Sequence, residues 1–400
     1  MSEPRKQQAP GRDREGLKRA AFETVAVHAG GDPDVETGAV VPPIYAVSTY
    51  AQDSVGSPRS GYVYGRGSNP TRTRLEQRLA ALEGGSFACA FSSGMAAEDA
   101  VFRALCRPGD EVLIPTDVYG GTYRLLDKVF SLWGLKYVPV SISDSNAVRL
   151  AIKPGVTRLI WCETPTNPLL NVADIRQLAT VAHEAGTLLV VDNTFASPCL
   201  QQPLMLGADI AVHSTTKYIG GHSDVIGGAT VTQSQDLDAA IRFHQNAAGA
   251  VPSPFDAWLV LRGSQTLAVR VNQQSDTALS LATEISKHPA VERVFYPGLD
   301  VHPGHQLASR QMRKYGGMIS FTLAGGENAA LQVCNSVKLF TLAESLGAVE
   351  SLICHPLRMT HASAAGSSVA PPANLVRLSI GLEAFDDLAS DLFVALDSVK

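Results

Sequence analysis

The run HSTTKYIGGHSD at residues 213–224 carries the most information about this chain. The apolar stretch DIAV at 209–212 has strand character and leads into it, so that Lys217 lies just past a buried strand, among small hydroxyl residues and before paired glycines. Burial or nearby positive charge pushes a lysine ammonium toward the neutral, nucleophilic amine, so this environment suits Schiff-base chemistry. A solvated loop lysine is the alternative that the run alone leaves open.

A second apolar stretch, LLVV at 188–191, ends in Asp192. Two adjacent strands bring Asp192 and Lys217 to the same edge of a sheet. Pyridoxal phosphate needs both groups, because a carboxylate pairs with its pyridinium nitrogen and a lysine holds its aldehyde. The pair therefore favours a pyridoxal-phosphate site.

Segments of helix and strand character alternate between about 71 and 261. We expect helices at 74–83, 95–104, 122–132 and 175–185, and strands at 87–91, 111–114, 136–140, 158–161, 188–191 and 209–212. This alternation predicts an α/β fold with a mostly parallel sheet covered on both faces. Ligands in such folds bind beyond the carboxyl ends of the strands, where Asp192 and Lys217 both fall.

The pattern changes after about residue 263. A long polar helix is expected at 266–288, and strand-like segments follow at 318–323 and 376–380, which predicts a smaller α+β domain. Two domains also suit the length, because 400 residues exceed the size at which single cores stop growing. The first twenty residues are polar and mixed in charge, and we expect them to form a mobile tail.

Composition narrows the class of protein. Hydrophobic content of 45% and charged content of 18% are ordinary for a globular protein, and the net charge of −5 argues against nucleic acid as a partner. No apolar run reaches membrane-spanning length and no signal peptide opens the chain, so we expect a cytoplasmic protein without a membrane partner. None of the six cysteines forms a Cys-x-x-Cys pair, which favours buried, reduced thiols, and no metal site is expected.

The stretch SSGMAA at 92–97 joins a strand to a helix. Gly94 lets backbone amides approach a ligand closely, and the helix N-terminus offers unpaired N–H groups, which together suit a phosphate. Hydroxyls of Ser214 and Thr216 can complete this seat. A plain strand-to-helix turn is the alternative.

Two further loops follow predicted strands. Tyr119, in DVYGGT at 117–122, can stack on a flat cofactor, although a tyrosine that caps the core is an open alternative. Asn167 lies in the Pro-bounded loop ETPTNP at 163–168 and can bond with the cofactor ring or the substrate. The two prolines can equally serve only to shape a turn.

Two arginines lie in sequence environments where each is expected to bind an anionic group. Tyr64 and Arg66 alternate in YVYGRGSNPT at 62–71, so both can point to one side, where the arginine can grip a phosphate. Arg377 lies within the apolar strand VRLSIG at 376–381 and is costly there unless paired. Its partner can be a substrate carboxylate or a structural Asp or Glu.

Taken together, these motifs resemble the cysteine/methionine-metabolism family of pyridoxal-phosphate enzymes, from about Thr24 to the C-terminus. The run at 213–224 is close to the signature of that family. The resemblance implies a fold type I pyridoxal-phosphate enzyme, with a mostly parallel seven-stranded sheet in the large domain and a smaller C-terminal α+β domain. It also implies a division into an N-terminal tail and intersubunit arm at 1–66, a cofactor-binding domain at 67–262 and a C-terminal domain at 263–400.

The resemblance implies a role for each residue. Lys217 holds the cofactor aldehyde, removes the substrate Cα proton and, with Tyr119, is a candidate donor to the leaving group. Asp192 keeps the ring nitrogen protonated, and Tyr119 stacks on the ring. The phosphate ligands are Gly94, Met95, Ser214 and Thr216, joined by Tyr64 and Arg66 of a neighbouring subunit. The substrate carboxylate ligands are Asn167, Ser345 and Arg377. An obligate dimer, doubled into a tetramer, follows.

Individual residues bear on the reaction. In this family, methionine γ-lyases carry a cysteine where this chain has Gly121, which disfavours that activity. The run LAESLGAVES at 342–351 is like that of γ-synthases and γ-lyases, and Glu344 can read the amino group of cysteine or the distal one of cystathionine. Small departures from the family pattern occur at Ala348 and at 64–68.

The blocks at 192–204, 213–228 and 248–256 are most similar to bacterial γ-synthases. We therefore expect γ-replacement that forms cystathionine from an O-acylhomoserine and cysteine. A γ-lyase that cleaves cystathionine to cysteine, 2-oxobutanoate and ammonia is the nearest alternative, followed by γ-substitution or elimination on a related amino acid.

Hypotheses from other classes are a nicotinamide oxidoreductase and a binding protein that has lost catalysis. No Gly-x-Gly-x-x-Gly run follows the first strand, which counts against the dinucleotide. Intact Lys217 and Asp192 count against an inactive protein.

Overall fold

The computed structural model describes residues 17, 19–362 and 366–399. Nearly all of the predicted N-terminal tail lies outside the described residues. The strands are β1 (Gln52–Ser54), β2 (Ser57–Pro58), β3 (Phe87–Phe91), β4 (Glu111–Pro115), β5 (Lys136–Val140), β6 (Thr157–Glu163), β7 (Leu188–Asp192), β8 (Ile210–Ser214), β9 (Gly228–Thr232), β10 (Val291–Phe295), β11 (Met318–Leu323), β12 (Thr341–Leu342), β13 (Leu352–Cys354) and β14 (Leu375–Ser379).

The α-helices follow the same order along the chain. They are α1 (Phe22–His28), α2 (Pro70–Glu83), α3 (Gly94–Leu105), α4 (Gly120–Arg124), α5 (Ser131–Trp133), α6 (Ser145–Ala151), α7 (Ile175–Glu184), α8 (Ser197–Leu200), α9 (Gln235–Ala248), α10 (Pro254–Ser264), α11 (Leu267–Ile285), α12 (His305–Gln311), α13 (Gly326–Ser336) and α14 (Phe385–Asp397).

The large sheet has seven strands in the order β3-β9-β8-β7-β6-β4-β5. Strands β8, β7, β6, β4 and β5 run parallel, while β9 is antiparallel to both β3 and β8. The prediction of a mostly parallel seven-stranded sheet is confirmed. Strand β9 was not expected from the sequence, because its run GATVT is short and follows a glycine-rich loop.

Local sequence explains the ends of the helices. Helix α2 begins after Asn69, whose side chain accepts from the amides of Thr71 and Arg72, and Pro70 takes its first position. It ends at Gly84, which has a φ of 70° that glycine adopts readily. The helix therefore starts four residues before the predicted 74–83, because Pro70 is tolerated at the first helical position, where its missing N–H is not needed.

The segment expected to be helical at 122–132 is helical, but it is not a continuous α-helix. Residues 120–133 form α4, then a π-helical turn at Leu125–Phe130, then α5. Apolar spacing cannot distinguish the wider π turn from α-helix, since both present one buried face. The long polar helix predicted at 266–288 is confirmed as α11, three residues shorter at its end.

The C-terminal part has a five-stranded sheet in the order β10-β11-β14-β13-β12. All neighbours are antiparallel except β12 and β13, and α11, α13 and α14 pack on it around a separate apolar core. This confirms the smaller α+β domain, while the boundaries at 66/67 and 262/263 stay predictions.

The cysteines were expected to be buried and reduced. All six are described, and each is buried and free of a disulfide. Within the described part of the chain, no helix is long and apolar enough to cross a membrane.

Candidate active site

A cavity of about 340 Å³ opens at the edge of the large sheet where β6, β7 and β8 end. Most of the predicted site residues line it together. They are Gly94, Met95, Tyr119, Asn167, Asp192, Ser214, Thr216, Lys217, Glu344, Ser345 and Arg377. The structure therefore brings together residues that are separated by up to 283 positions in the chain, and only Tyr64 and Arg66 among the predicted residues lie elsewhere.

Lys217 projects from the turn that follows β8. Its Nζ donates to Ser345 Oγ at 2.8 Å. Burial, and secondarily the positive charge of Arg377, lower the pKa of Lys217 to about 8. The amine is thus available in its neutral form near physiological pH, as nucleophilic chemistry requires.

The paired glycines after Lys217 have a physical cause. Gly221 has a φ of 73°, and a Cβ there would lie 2.0 Å from Arg270 Nη1. Arg270 donates from Nη1 to the Tyr218 carbonyl at 2.8 Å and from Nη2 to that of Gly263. Arg270, which sequence reasoning missed, therefore fixes the turn that carries the lysine.

Ser345 covers Lys217 from the C-terminal part of the chain. It has a φ of 94°, a conformation that costs energy for a residue with a side chain. Arg377 holds it through a hydrogen bond from Nη2 to the Ser345 carbonyl at 3.1 Å, and Gly347 N donates to Ser379 Oγ at 2.8 Å. Strain at a lining residue is typical of a functional site.

The start of α3 has the geometry of an anion seat. Ser93 caps the helix by accepting from the Ala96 amide at 3.0 Å, and Gly94 and Met95 at its first positions line the cavity. A Cβ on Gly94 would lie 2.9 Å from Ser214 Cβ, so glycine is needed for this close approach. Free helical amides beside the hydroxyls of Ser214 and Thr216 fit a phosphate group.

Asp192 ends β7, in register with Glu163 on β6 and Val212 on β8. It accepts from the Thr194 amide at 2.9 Å. Burial raises the pKa of Asp192, against the smaller lowering effects of Thr194 and His213. No ion pair with Asp192 occurs among the described residues, so a cationic ligand atom such as a pyridinium nitrogen would compensate its buried charge.

Tyr119 is held by its backbone and by its ring. Its N–H donates to both carboxylate oxygens of Glu163 at 3.0 Å, and its ring meets His361 edge-on at 6.2 Å. A Cβ on Gly121 would lie 2.3 Å from Tyr119 Cε1. The ring position therefore depends on glycine at 121, which gives a structural reason for its presence.

His361 is a buried residue that sequence reasoning missed. Burial, with Arg377 as a lesser cause, lowers the pKa of His361 to about 4, so its ring is neutral. Its Nε2 lies 3.0 Å from the Asn167 carbonyl and its Nδ1 lies 2.9 Å from Thr360 Oγ1. His361 thus links the loop of Asn167 to the ring of Tyr119, a relation between distant segments that no local pattern reveals.

Arg377 donates from Nη1 to Asn167 Oδ1 at 2.8 Å. The sequence left open whether a substrate or a structural carboxylate pairs with it. Across the described residues, no Asp or Glu lies within ion-pair distance of Arg377. The guanidinium therefore lines the cavity with unmatched charge, which favours an anionic ligand.

Tyr64 and Arg66 lie outside this cavity. Tyr64 is 50% exposed, and Arg66 lies over its ring at 5.5 Å and donates to Asn246 Oδ1 at 3.4 Å. Neither residue lines the cavity formed by its own chain. Their predicted contact with a cofactor phosphate stays a prediction about a neighbouring subunit.

Comparison with known proteins adds the family. The model of the family described as Cys/Met metabolism PLP-dependent enzyme matches residues 23–397. Cystathionine gamma-synthase of Mycobacterium tuberculosis is 57% identical over 373 residues, which cover 93% of this chain and 96% of that protein. Cystathionine gamma-lyase of Bacillus subtilis is 48% identical over 379 residues, with 94% and 99% covered.

This chain belongs to the Cys/Met metabolism PLP-dependent enzyme family. Solved structures agree: metB from Corynebacterium glutamicum superposes with a TM-score of 0.95 at 51% identity, covering 96% of this chain and all of that one. Cystathionine gamma synthase from Xanthomonas oryzae, in complex with cystathionine, gives 0.92 at 43% identity, with 95% and 98% covered. The predicted family, fold and cofactor, pyridoxal phosphate, are confirmed.

Proposed function

We propose that this Cys/Met metabolism PLP-dependent enzyme forms cystathionine from an O-acylhomoserine and cysteine by γ-replacement. The main observation in support of this proposal is the arrangement of charged side chains in the cavity. Arg377 at one side can take a carboxylate, and Glu344, which lines the same cavity, can take the ammonium of a second amino acid. The similarity to cystathionine gamma-synthases supports this choice.

Groups on the cavity wall match the parts of pyridoxal phosphate. The phosphate would sit at the N-terminus of α3, the ring nitrogen at Asp192, the ring face at Tyr119 and the aldehyde at Lys217. When bound, the cofactor supplies an electron sink that makes loss of the Cα proton feasible. Side chains of the protein would bind the substrate and transfer the protons.

Lys217 is the proposed base. With a pKa of about 8, Nζ can accept the Cα proton and return it within the working pH range. Ser345 Oγ accepts a hydrogen bond from Nζ, so it fixes the direction of the amine. Asn167 and Arg377, already hydrogen-bonded to each other, would grip the substrate carboxylate and so orient the Cα–H bond toward Nζ.

Tyr119 is the proposed donor to the leaving group. Burial, followed by the negative charge of Glu98, raises the pKa of its phenol. The hydroxyl therefore keeps its proton at neutral pH and can donate it when the γ-substituent departs.

A dimer is the proposed catalytic unit, doubled into a tetramer. Tyr64 and Arg66 are accessible and do not line their own cavity, as expected if they complete the site of a neighbour. The segment before them exposes Val40 and Val41, which are 76% and 63% accessible in the single chain. We also place the enzyme in the cytoplasm, where its six free, buried cysteines would remain reduced.

A product screen tests the proposed reaction. Homoserine esters, cystathionine, methionine and cysteine are offered separately and in pairs. We expect cystathionine from O-succinyl- or O-acetylhomoserine plus cysteine, and slower release of 2-oxobutanoate when cysteine is present. Fast cleavage of cystathionine with negligible synthesis would establish the γ-lyase instead, and pyruvate with homocysteine would exclude both.

Glu344→Gln tests the second amino-acid site. Loss of a charge-assisted contact should raise KM for cysteine by about tenfold or more, while elimination from the homoserine ester without cysteine should be unchanged. Glu350→Gln is the matched control, because Glu350 lies outside the cavity and bonds to Ser223. An equal effect of the two substitutions would argue against the assigned role of Glu344.

A further inference from the structure

Glu98 is a buried carboxyl to which the reaction described above assigns no contact with cofactor or substrate. It is the fifth residue of α3, one turn past the phosphate seat, and it is only 4% exposed. It lines the same cavity as Asp192, Tyr119 and Glu163. A buried acid in a ligand cavity is costly to keep, which makes a ligand-directed role worth testing.

Glu344 apart, the three carboxyls that line this cavity differ in their hydrogen bonds. Asp192 accepts from the Thr194 amide, and both oxygens of Glu163 accept from the Tyr119 amide. Glu98 Oε2 is fully buried and has no hydrogen-bond partner among the described residues. Among these three, Glu98 is therefore the acid whose charge the protein compensates least.

The charged and titratable groups around Glu98 come from several elements. Asp192 at the end of β7 and Glu163 at the end of β6 are acids, Tyr119 precedes α4, and Arg124 is the cation on α4. Burial and then the Asp192 carboxylate raise the pKa of Glu98 well above its usual range, against smaller opposite effects of Thr122 and Arg124. Glu98 and Asp192 thus interact electrostatically.

From this arrangement we propose that Glu98 is a positioning residue that acts through Asp192, as a second buried carboxyl that keeps the ring nitrogen of pyridoxal phosphate protonated to higher pH. The proposal rests on the placement of Asp192 at that nitrogen. Glu98 gains a negative charge once the pH is high enough to ionise it. Its new negative charge then increases the proton affinity of the nitrogen held by Asp192.

The protonation of the ring nitrogen is measured directly in the holoenzyme. Pyridoxal phosphate labelled with ¹⁵N in the ring is bound, and the ¹⁵N chemical shift is followed from low to high pH. Glu98→Gln keeps the size of the side chain and removes its ability to ionise. We expect the nitrogen of this variant to lose its proton at lower pH, with proton affinity reduced by about tenfold or more.

Asp99→Asn is the matched control. Asp99 is the next residue on α3 and is also an acid, but it pairs with Arg103 outside the cavity. Its titration should match that of the wild type. If Glu98→Gln also matches the wild type within about twofold, or titrates at higher pH, the proposal is overturned.

Two further variants separate the remaining outcomes. Asp192→Asn should lower the pH at which the ring nitrogen loses its proton by more than Glu98→Gln does. An unchanged titration in Asp192→Asn would refute the placement of Asp192 itself. A change in Asp192→Asn but not in Glu98→Gln would refute only the role of Glu98. Should Glu98→Gln fail to retain the cofactor, Glu98→Asp is titrated instead. Its carboxyl is drawn back by one methylene, so the nitrogen should again lose its proton at lower pH, and an unchanged titration overturns the proposal.

Discussion

Lys217 shows how burial changes the protonation of a single side chain. Its ammonium is removed from water and lies near the cationic Arg377, and both effects favour the neutral amine. The sequence predicted this environment from the hydroxyls and glycines around the lysine. It could not supply the partner, because Ser345 lies 128 positions away and reaches Nζ only through the fold.

Capture of pyridoxal phosphate by the cofactor-free enzyme should therefore depend on pH. Only the neutral amine attacks the aldehyde, so the rate should rise with pH and level off above a midpoint near 8, well below the 10.5 of an ordinary lysine. Stopped-flow absorbance gives the rate. Arg377→Gln removes the cation and should move the midpoint upward, and a wild-type midpoint near 10 would contradict the account.

The N-terminus of α3 shows what the sequence reveals about an element. The glycine after a predicted strand and before a predicted helix was enough to predict a phosphate seat there. The strand that packs against this N-terminus was less predictable. Strand β9 passes so close that a Cβ on Gly228 would lie 2.1 Å from the Ser93 carbonyl. That contact depends on the antiparallel position of β9 in the sheet, which no pattern in its five residues predicts.

Ser93→Ala should lower both stability and cofactor affinity. Loss of the cap on the Ala96 amide costs about 1 kcal/mol of unfolding free energy, and it loosens the turn that would hold the phosphate. Ser234→Ala is the control, since Ser234 caps α9 away from the cavity. The unfolding free energy measured in urea should fall in both variants, whereas cofactor affinity measured by fluorescence titration should fall only in Ser93→Ala. An equal loss of affinity in the two variants would rule out a special role for α3.

In the whole molecule, motifs spread along the chain converge on one edge of the large sheet. Parallel strands explain why Asp192 and Lys217 meet, and this could be foreseen. His361 and Arg270 could not, because their roles depend on packing between the two parts of the chain. Tyr64 and Arg66 lie outside the cavity of their own chain, and their proposed role in a neighbouring subunit stays a prediction.

Hybrid dimers test whether subunits share sites. Lys217→Ala and Arg66→Ala chains, each inactive or weak alone, should regain activity after mixing and reassembly, because one site of each hybrid then has both native residues. Mixing Lys217→Ala with Asp192→Asn is the control, since both changes fall in the same chain's site and no intact site can form. No recovery in verified hybrids of the first kind would show that each chain builds its own site.

Every role proposed above depends on the proposed placement of the cofactor on Lys217. Borohydride reduction of the holoenzyme, followed by digestion and peptide mapping by mass spectrometry, fixes the cofactor to the amine that holds it. We predict a single pyridoxyl label, on Lys217, and none in Lys217→Ala. A label on any other lysine of the wild-type enzyme would contradict the account.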